Sequence, residues 1–193
     1  ESVCQVRAGV MTTDEFLKEM SREIRGERRR PGGRVQSLAE SSFDAWVKFN
    51  RPTPDSANTT VSFYDLGKYA GLGLDASIRE ASGHTATLDD LMRRLYTEFP
   101  LGGKGFTEAD VRRVASSLAG RDLSEFFEAH VRGTQPLDFA AMLNVFGLRM
   151  ETPPADAPKP GDPEPRETVP WLGIAITKGS EPPTVASVSS DGP

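Results

Sequence analysis

Apolar residues recur at helical spacing along most of the chain. Phe16, Leu17, Met20 and Ile24 fall on one face of a helix that we expect to run to about Glu27. The same spacing recurs in later groups: Leu88, Leu91, Met92, Leu95 and Phe99; Val111, Val114 and Leu118; Leu123, Phe126, Phe127 and Val131. This pattern predicts an all-α, multi-helix domain over residues 1–151.

Polar residues and glycines mark where these helices begin and end. Thr12 with Glu15, and Ser37 with Glu40, match the capping box, in which each side chain satisfies amides of the first turn. Further starts are expected at Thr87, Thr107 and Asp122, with stops at Gly120, Gly133 and Gly147. The opening Val3–Gly9 has the pattern of a helix's last turns, which predicts that the chain is a fragment.

Two helices before residue 82 have a distinct composition. After Ser37 we expect a helix with an aromatic face that carries Phe43 and Trp46 and ends before Pro52. The next helix, Thr60–Ala81, is the most apolar and contains three glycines, Gly67, Gly71 and Gly73. Each interior glycine costs about 1 kcal/mol relative to alanine. We therefore expect this helix to be central, with another backbone packed closely against it.

The composition changes after Glu151. Residues 152–169 are rich in proline and predict an extended linker. Beyond it, Trp171–Ile176 and Thr184–Val188 predict two strands joined by a turn. Because a lone hairpin is marginally stable in water, we interpret residues 170–193 as the truncated start of another domain.

Composition and charge exclude some functions. The chain has 193 residues and a net charge of -5, which argues against a nucleic-acid partner. No apolar run approaches the roughly 20 residues that a membrane span requires. Cys4 is the single cysteine, so no internal disulfide is expected. No targeting segment is recognisable, which leaves the compartment open.

The chain lacks the residues of a zinc site. His84 and His130 are its two histidines, and neither belongs to a His-Glu-x-x-His motif. A catalytic zinc usually has three protein ligands. We therefore expect no metal ligand in this chain, and a surface or helix-end role for each histidine.

Three segments together resemble the glycyl aminopeptidase family of bacterial zinc metallopeptidases: Val35–Trp46, Val61–Ala70 and Asp122–Thr134. Pro170–Ile174 is similar to the opening of the PDZ domain that follows in that family. The resemblance implies a thermolysin-like catalytic domain that binds zinc upstream in the same polypeptide, a helical domain, and a peptide substrate. It implies no cofactor in this chain, and a bacterial protein of the cytoplasm or periplasm.

The resemblance points to Tyr64 as a catalytic residue. Phe63–Gly67 is similar to a Tyr-x-Lys-Gly helix start in which the tyrosine faces the substrate, although Leu66 occupies the lysine position. A phenol can donate a hydrogen bond to the oxyanion that develops at a peptide carbonyl under attack. The alternative is that Tyr64 is one more core aromatic near a helix start.

Four other groups are weaker candidates. Glu40, Asp44 and Asp65 could orient reacting groups or line a substrate cleft, but Glu40 has a capping role and Asp65 lies in a first helical turn. The tetrapeptide Trp171, Leu172, Gly173 and Ile174 would form part of an incomplete carboxylate-binding loop of the PDZ-like segment.

Two functions follow. The first is the C-terminal helical portion of a zinc-dependent aminopeptidase that hydrolyses peptides with small N-terminal residues such as glycine, inactive without its zinc-binding part. The second is a non-catalytic helical interaction module coupled to a PDZ-like peptide-binding domain.

Overall fold

The computed structural model describes residues 2–151, 174–176 and 185–188. Its helices are α1 Ser2–Arg7, α2 Thr13–Arg28, α3 Leu38–Phe43, α4 Ser56–Thr59, α5 Phe63–Ser82, α6 Leu88–Glu98, α7 Glu108–Ala119, α8 Ser124–Phe127 and α9 Phe139–Val145. A 3-10 turn at Pro31–Arg34 and π-helical turns at Ala45–Phe49 and Glu128–Arg132 connect some of them. Residues 2–151 are thus helical, as predicted.

The predicted capping boxes are present. The backbone N–H of Glu15 donates to the Thr12 hydroxyl at 3.2 Å, and the Glu15 carboxylate accepts from the Thr12 N–H at 2.9 Å. The same reciprocal pair begins α3, α6 and α7. The predicted stops at Gly9, Gly120 and Gly147 have φ values of 70°, 69° and 72°, which glycine adopts without strain. Gly133 also follows the end of a helical turn, but its backbone is not left-handed, with a φ of -93°.

Helix α5 is central, as the sequence predicts. It packs against α2, α3, α6, α7 and α9. One core cluster joins α5 to α6, α7 and α8 through Leu74, Ile78, Ala86, Leu91, Leu95, Val114, Ala115, Ala119, Leu123 and Phe127. A second joins α5 to α2 and α9 through Met20, Ile24, Tyr69, Ala76, Phe139, Met142 and Leu143.

The explanation predicted for the glycines of α5 is wrong. A Cβ atom at Gly73 would lie 3.1 Å from Cδ2 of Leu137 and 3.3 Å from Cε2 of Phe126. Gly71 has nothing within 4 Å of such an atom. Large side chains, and not another backbone, therefore occupy the space that Gly73 leaves.

Two helix boundaries also differ from the prediction. Helix α5 begins at Phe63, because Thr60 and Ser62 have extended backbone and the Ser62 hydroxyl caps the first turn. The aromatic helix ends at Phe43, and a π-helical turn continues from Ala45. The side chains after Asp44 therefore point in other directions than they would in an unbroken α-helix.

Two short strands lie beyond the helices. β1, Ile174–Ile176, pairs antiparallel with β2, Val185–Val188, and Ile174 lies opposite Val188. The predicted linker, residues 152–169, and the predicted loop residues Trp171 to Gly173 lie outside the described residues. Among the helices that the structure describes, none is long and apolar enough to cross a bilayer.

Candidate functional site

Tyr64 lies in the first turn of α5, and its side chain is 67% exposed. Its ring centroid is 4.1 Å from that of Phe63 and 6.0 Å from that of Phe49. Within the described part of the chain, the Tyr64 hydroxyl has no hydrogen-bond partner. The alternative interpretation, that Tyr64 is one more core aromatic, is therefore wrong, since the residue is mostly exposed although its ring contacts two aromatics.

The end of α3 and the following π-helical turn expose further apolar side chains. Phe43 is 91% exposed, Trp46 81% and Val47 66%. Phe49, on the same turn, contacts Phe63 at a centroid distance of 5.2 Å, which joins this turn to the start of α5. We call Phe43, Trp46, Val47 and Tyr64 the aromatic surface. Exposed apolar groups clustered in this way are typical of a contact with another molecule or domain.

A groove of about 500 Å³ adjoins the aromatic surface. Phe43 and Phe63 line one part of it, and Val131 and Glu108 line another. The Glu108 carboxylate accepts a hydrogen bond from Nε of Arg132 at 2.9 Å. The groove is therefore mainly apolar, with one carboxylate that is already neutralised by an arginine.

Tyr69, five residues further along α5, has the opposite environment. It is 1% exposed, and its hydroxyl donates to the Glu23 carboxylate at 3.3 Å. Lys68 forms an ion pair with the same carboxylate. Burial, and then the Glu23 charge, raise the pKa of the Tyr69 phenol well above its ordinary value. Tyr69 is therefore a structural tyrosine, which leaves Tyr64 as the accessible one at this end of α5.

Two buried polar side chains hold the residue that precedes the cap of α5. The Val61 N–H donates to Oε1 of Gln36 at 3.1 Å, and the Ser41 hydroxyl donates to the Val61 carbonyl at 2.7 Å. Val61 is fully buried, and Gln36 and Ser41 are 4% and 2% exposed. Both polar groups of the Val61 backbone are thus satisfied by side chains from the loop before α3 and from α3 itself.

The three carboxylates predicted as supporting groups have local roles in this structure. Glu40 accepts from the N–H and hydroxyl of Ser37, both at 2.9 Å, and these bonds lower the pKa of Glu40. Asp44 forms an ion pair with Lys48 at 2.6 Å. Asp65 lies in the first turn of α5, where its N–H donates to the hydroxyl of Ser62. A role of the three in catalysis stays a prediction.

The histidines do not form a metal site. His84 is exposed in a left-handed conformation with φ 64°, directly after Gly83. His130 Nδ1 lies 2.9 Å from the Gln135 carbonyl, and its ring packs on Phe126. Over residues 2–151, 174–176 and 185–188, no three His, Cys, Asp or Glu side chains lie close enough together to ligate one ion. The described residues therefore do not fit a catalytic zinc.

Gln36 and Ser41 are the site residues that the sequence analysis missed. Both lie within Val35–Trp46, a segment that the sequence marks by its capping box, Ser37 with Glu40, and by its family resemblance, but neither feature singles out Gln36 or Ser41. Their partner is a backbone group twenty or more residues away. A polar residue's burial against a distant backbone leaves no periodic signal, so spacing alone could not identify it.

The site lies in the part of the chain that a family comparison covers. Residues 1–69 match the family model described as M61 glycyl aminopeptidase. The match covers 69 of the 193 residues and includes α1 to α4 and the first turns of α5 with Tyr64. The resemblance drawn from Asp122–Thr134 and Pro170–Ile174 lies outside the match and stays a prediction.

Two further comparisons gave no result. Neither the curated proteins nor the solved structures include a significant match to the chain.

Proposed function

We propose that this chain is the helical portion of a zinc-dependent aminopeptidase that removes small N-terminal residues such as glycine. The observation that carries the proposal is Tyr64, which lies within the matched residues 1–69, is 67% exposed, and has a hydroxyl without a partner in the described structure. Zinc would be held by residues of a catalytic domain upstream in the same polypeptide. The described residues would supply the substrate-facing tyrosine and its support.

The chemistry asked of Tyr64 is simple. Its phenol donates a hydrogen bond to the carbonyl oxygen of the scissile peptide as negative charge develops there. The position suits this task, because the first turn of α5 leaves backbone N–H groups without helical partners and carries a partial positive charge. The ring contacts with Phe49 and Phe63 restrict the direction in which the hydroxyl points.

The aromatic surface gives the proposal its second support. Phe43, Trp46 and Val47 expose apolar area that the helical domain itself does not cover, and the ring contact of Tyr64 with Phe49 joins Tyr64 to the same turn. In the proposed enzyme this surface faces the zinc-binding domain across the substrate cleft. Contact there excludes water from the region of the Tyr64 hydroxyl, which strengthens its hydrogen bond to an oxyanion.

The test is Tyr64→Phe in the peptidase that contains this chain. Turnover of glycine 4-nitroanilide is measured with the wild type, Tyr64→Phe and Tyr96→Phe. Tyr96 lies on α6 and is 70% exposed, so it matches Tyr64 in residue type and accessibility. We expect kcat to fall by about two orders of magnitude for Tyr64→Phe, as the loss of an oxyanion donor does, and to stay unchanged for Tyr96→Phe.

Each other outcome has a meaning. Equal turnover of the two variants and the wild type removes Tyr64 from the mechanism. A wild type without any aminopeptidase activity or bound zinc contradicts the enzyme proposal. That last result favours the alternative function, a non-catalytic helical interaction module.

The C-terminal residues complete the proposal. Residues 152–169 would be a linker, and residues 170–193 the start of a PDZ domain. The antiparallel pair Ile174–Ile176 and Val185–Val188 is consistent with such a start. Trp171, Leu172, Gly173 and Ile174 would contribute to its carboxylate-binding loop, which needs further strands to form a peptide groove.

A further inference from the structure

We infer that Gln36 and Ser41 are positioning residues that fix the start of α5 and thereby aim the hydroxyl of Tyr64. The inference rests on the proposed function and adds two residues to it. Neither side chain touches the substrate in this scheme. Their effect on the reaction passes through the backbone of Val61.

Side chains form hydrogen bonds with both polar groups of the Val61 backbone, and we call these two bonds the clamp. Ser41 donates its hydroxyl to the Val61 carbonyl at 2.7 Å, and Gln36 accepts from the Val61 N–H at 3.1 Å. Val61 lies between α4 and α5 and is buried, so both of its backbone polar groups would be unsatisfied without these side chains. The Val61 side chain is 0% exposed, so rotation of this residue is opposed by packing as well.

Gly32 packs directly against the backbone of Thr60, the residue before Val61. A Cβ atom at position 32 would lie 2.3 Å from the Thr60 carbonyl oxygen, so the two backbones are in direct contact. Thr60 and Ser62, on either side of Val61, are 8% and 7% exposed. The chain therefore enters α5 through a fixed and buried segment, although Tyr64 itself is exposed.

Val61 is connected to Tyr64 by a short rigid path. Ser62 follows Val61 directly and caps α5 by accepting from the Asp65 N–H at 3.2 Å. Tyr64 is the second residue of α5, so its Cα position follows from where this cap lies. A displacement of about 1 Å at a catalytic group can lower a rate by about two orders of magnitude. We expect the loss of one of the two hydrogen bonds to Val61 to move Ser62, the cap of α5, by less than about 1 Å.

Nε2 of Gln36 is consistent with a positioning role. It is buried and has no hydrogen-bond partner in the described structure. Burial of an unsatisfied amide group costs stability. The Gln36 side chain is therefore buried at a cost in stability at Nε2, while its Oε1 accepts the hydrogen bond from the Val61 N–H.

The experiment uses Ser41→Ala in the active peptidase, with Ser77→Ala as its matched control. The Ser77 hydroxyl also donates to a backbone carbonyl, that of Gly73 at 2.9 Å, but this bond joins two residues within α5. We expect Ser41→Ala to lower kcat for glycine 4-nitroanilide by about tenfold while KM changes by less than about twofold. Ser77→Ala should leave both constants unchanged.

A double variant separates positioning from a general loss of stability. If Ser41 acts through Tyr64, Ser41→Ala combined with Tyr64→Phe is no slower than Tyr64→Phe alone. Hydrogen exchange gives a readout apart from activity. In Ser41→Ala the Val61 and Ser62 amides should exchange faster, while the amides of α7 keep their protection.

The outcomes are distinct. The inference is overturned if the effects of Ser41→Ala and Tyr64→Phe multiply, or if Ser41→Ala behaves as Ser77→Ala. In either case a large loss in Tyr64→Phe alone still supports the proposed function. Full activity of Tyr64→Phe overturns the inference and removes Tyr64 from the mechanism, whereas the aminopeptidase activity itself still supports the proposed enzyme. If Ser41→Ala does not fold, Gln36→Met removes the other clamp bond and is judged by the same criteria.

Discussion

Gly32 lies against the backbone of Thr60 so closely that no side chain fits between them, since an added Cβ would be 2.3 Å from the Thr60 carbonyl oxygen. Gly32 is buried within the 3-10 turn Pro31–Arg34. This contact joins the turn after α2 to the segment that leads into α5. The glycine is required here for lack of space, and not for a left-handed conformation.

Gly32→Ala should therefore destabilise the fold. Because the new methyl group would meet backbone atoms, the turn or the Thr60 segment must shift, at a cost of about 1–3 kcal/mol. Urea unfolding followed by circular dichroism measures the change. Gly26→Ala is the control, because Gly26 lies in α2 with nothing within 4 Å of an added Cβ. This variant should gain about 0.5–1 kcal/mol in the free energy of unfolding. Equal stability of Gly32→Ala and the wild type would contradict the close contact.

Glu23→Gln should also destabilise the protein. Glu23 accepts from both Lys68 and Tyr69, and removing its charge leaves these two half-buried or buried donors poorly satisfied. We expect a loss of about 1–2 kcal/mol in the free energy of unfolding. Lys18→Gln, which breaks an ion pair with Asp14 whose side chains are both 75% exposed, should change it by less than about 0.5 kcal/mol. A similar effect of the two variants would argue against the shared carboxylate.

Glu27 should make stability depend on pH in one direction. Its pKa is raised above the ordinary value, chiefly by burial, with Arg30 opposing and Asp65 adding to the shift. A raised pKa means that the protonated form is favoured in the folded state, so this contribution is present below the unfolded pKa and lost as pH rises through the folded pKa.

Glu27→Gln removes this titration. The variant should be more stable than the wild type at neutral pH, and the difference should shrink towards about pH 4, where the wild-type carboxyl is increasingly protonated in both states. Urea unfolding across this range checks it. A variant that is less stable at neutral pH would show that Glu27 makes favourable contacts as a carboxylate.

The aromatic surface should contribute little to the stability of the helical domain. Trp46 is 81% exposed, so Trp46→Gln is expected to change the free energy of unfolding by less than about 0.5 kcal/mol. Leu91→Ala, which truncates a side chain that is 2% exposed, should cost about 2–5 kcal/mol. A large loss for Trp46→Gln would mean that this residue packs within the domain and is not available to a partner.

The helix starts could be predicted from sequence because capping is local. A Thr or Ser hydroxyl and a carboxylate three residues later are close in any helix, so Thr12 with Glu15 identifies a start without knowledge of the fold. The central position of α5 also followed, since a long apolar helix is buried in most arrangements.

Exposure and long-range polar contacts could not be predicted in this way. Phe43 and Trp46 have helical spacing that is typical of a buried face, but the π-helical turn after Asp44 and the packing of α3 leave them in solvent. Tyr64 and Tyr69 are both tyrosines of α5, and only the fold determines that one is exposed and the other buried. The same holds for Ser41, whose partner is Val61.

Helix α5 belongs to both core clusters, since Leu74 and Ile78 contribute to one and Tyr69 and Ala76 to the other. Loss of either cluster would release α5 on one side, and the packing of the other cluster depends on the position of the same helix. The two halves of the domain should therefore unfold in one cooperative transition, so that a ligand bound near Tyr64 would raise the melting temperature of the distant α6 and α7 as well.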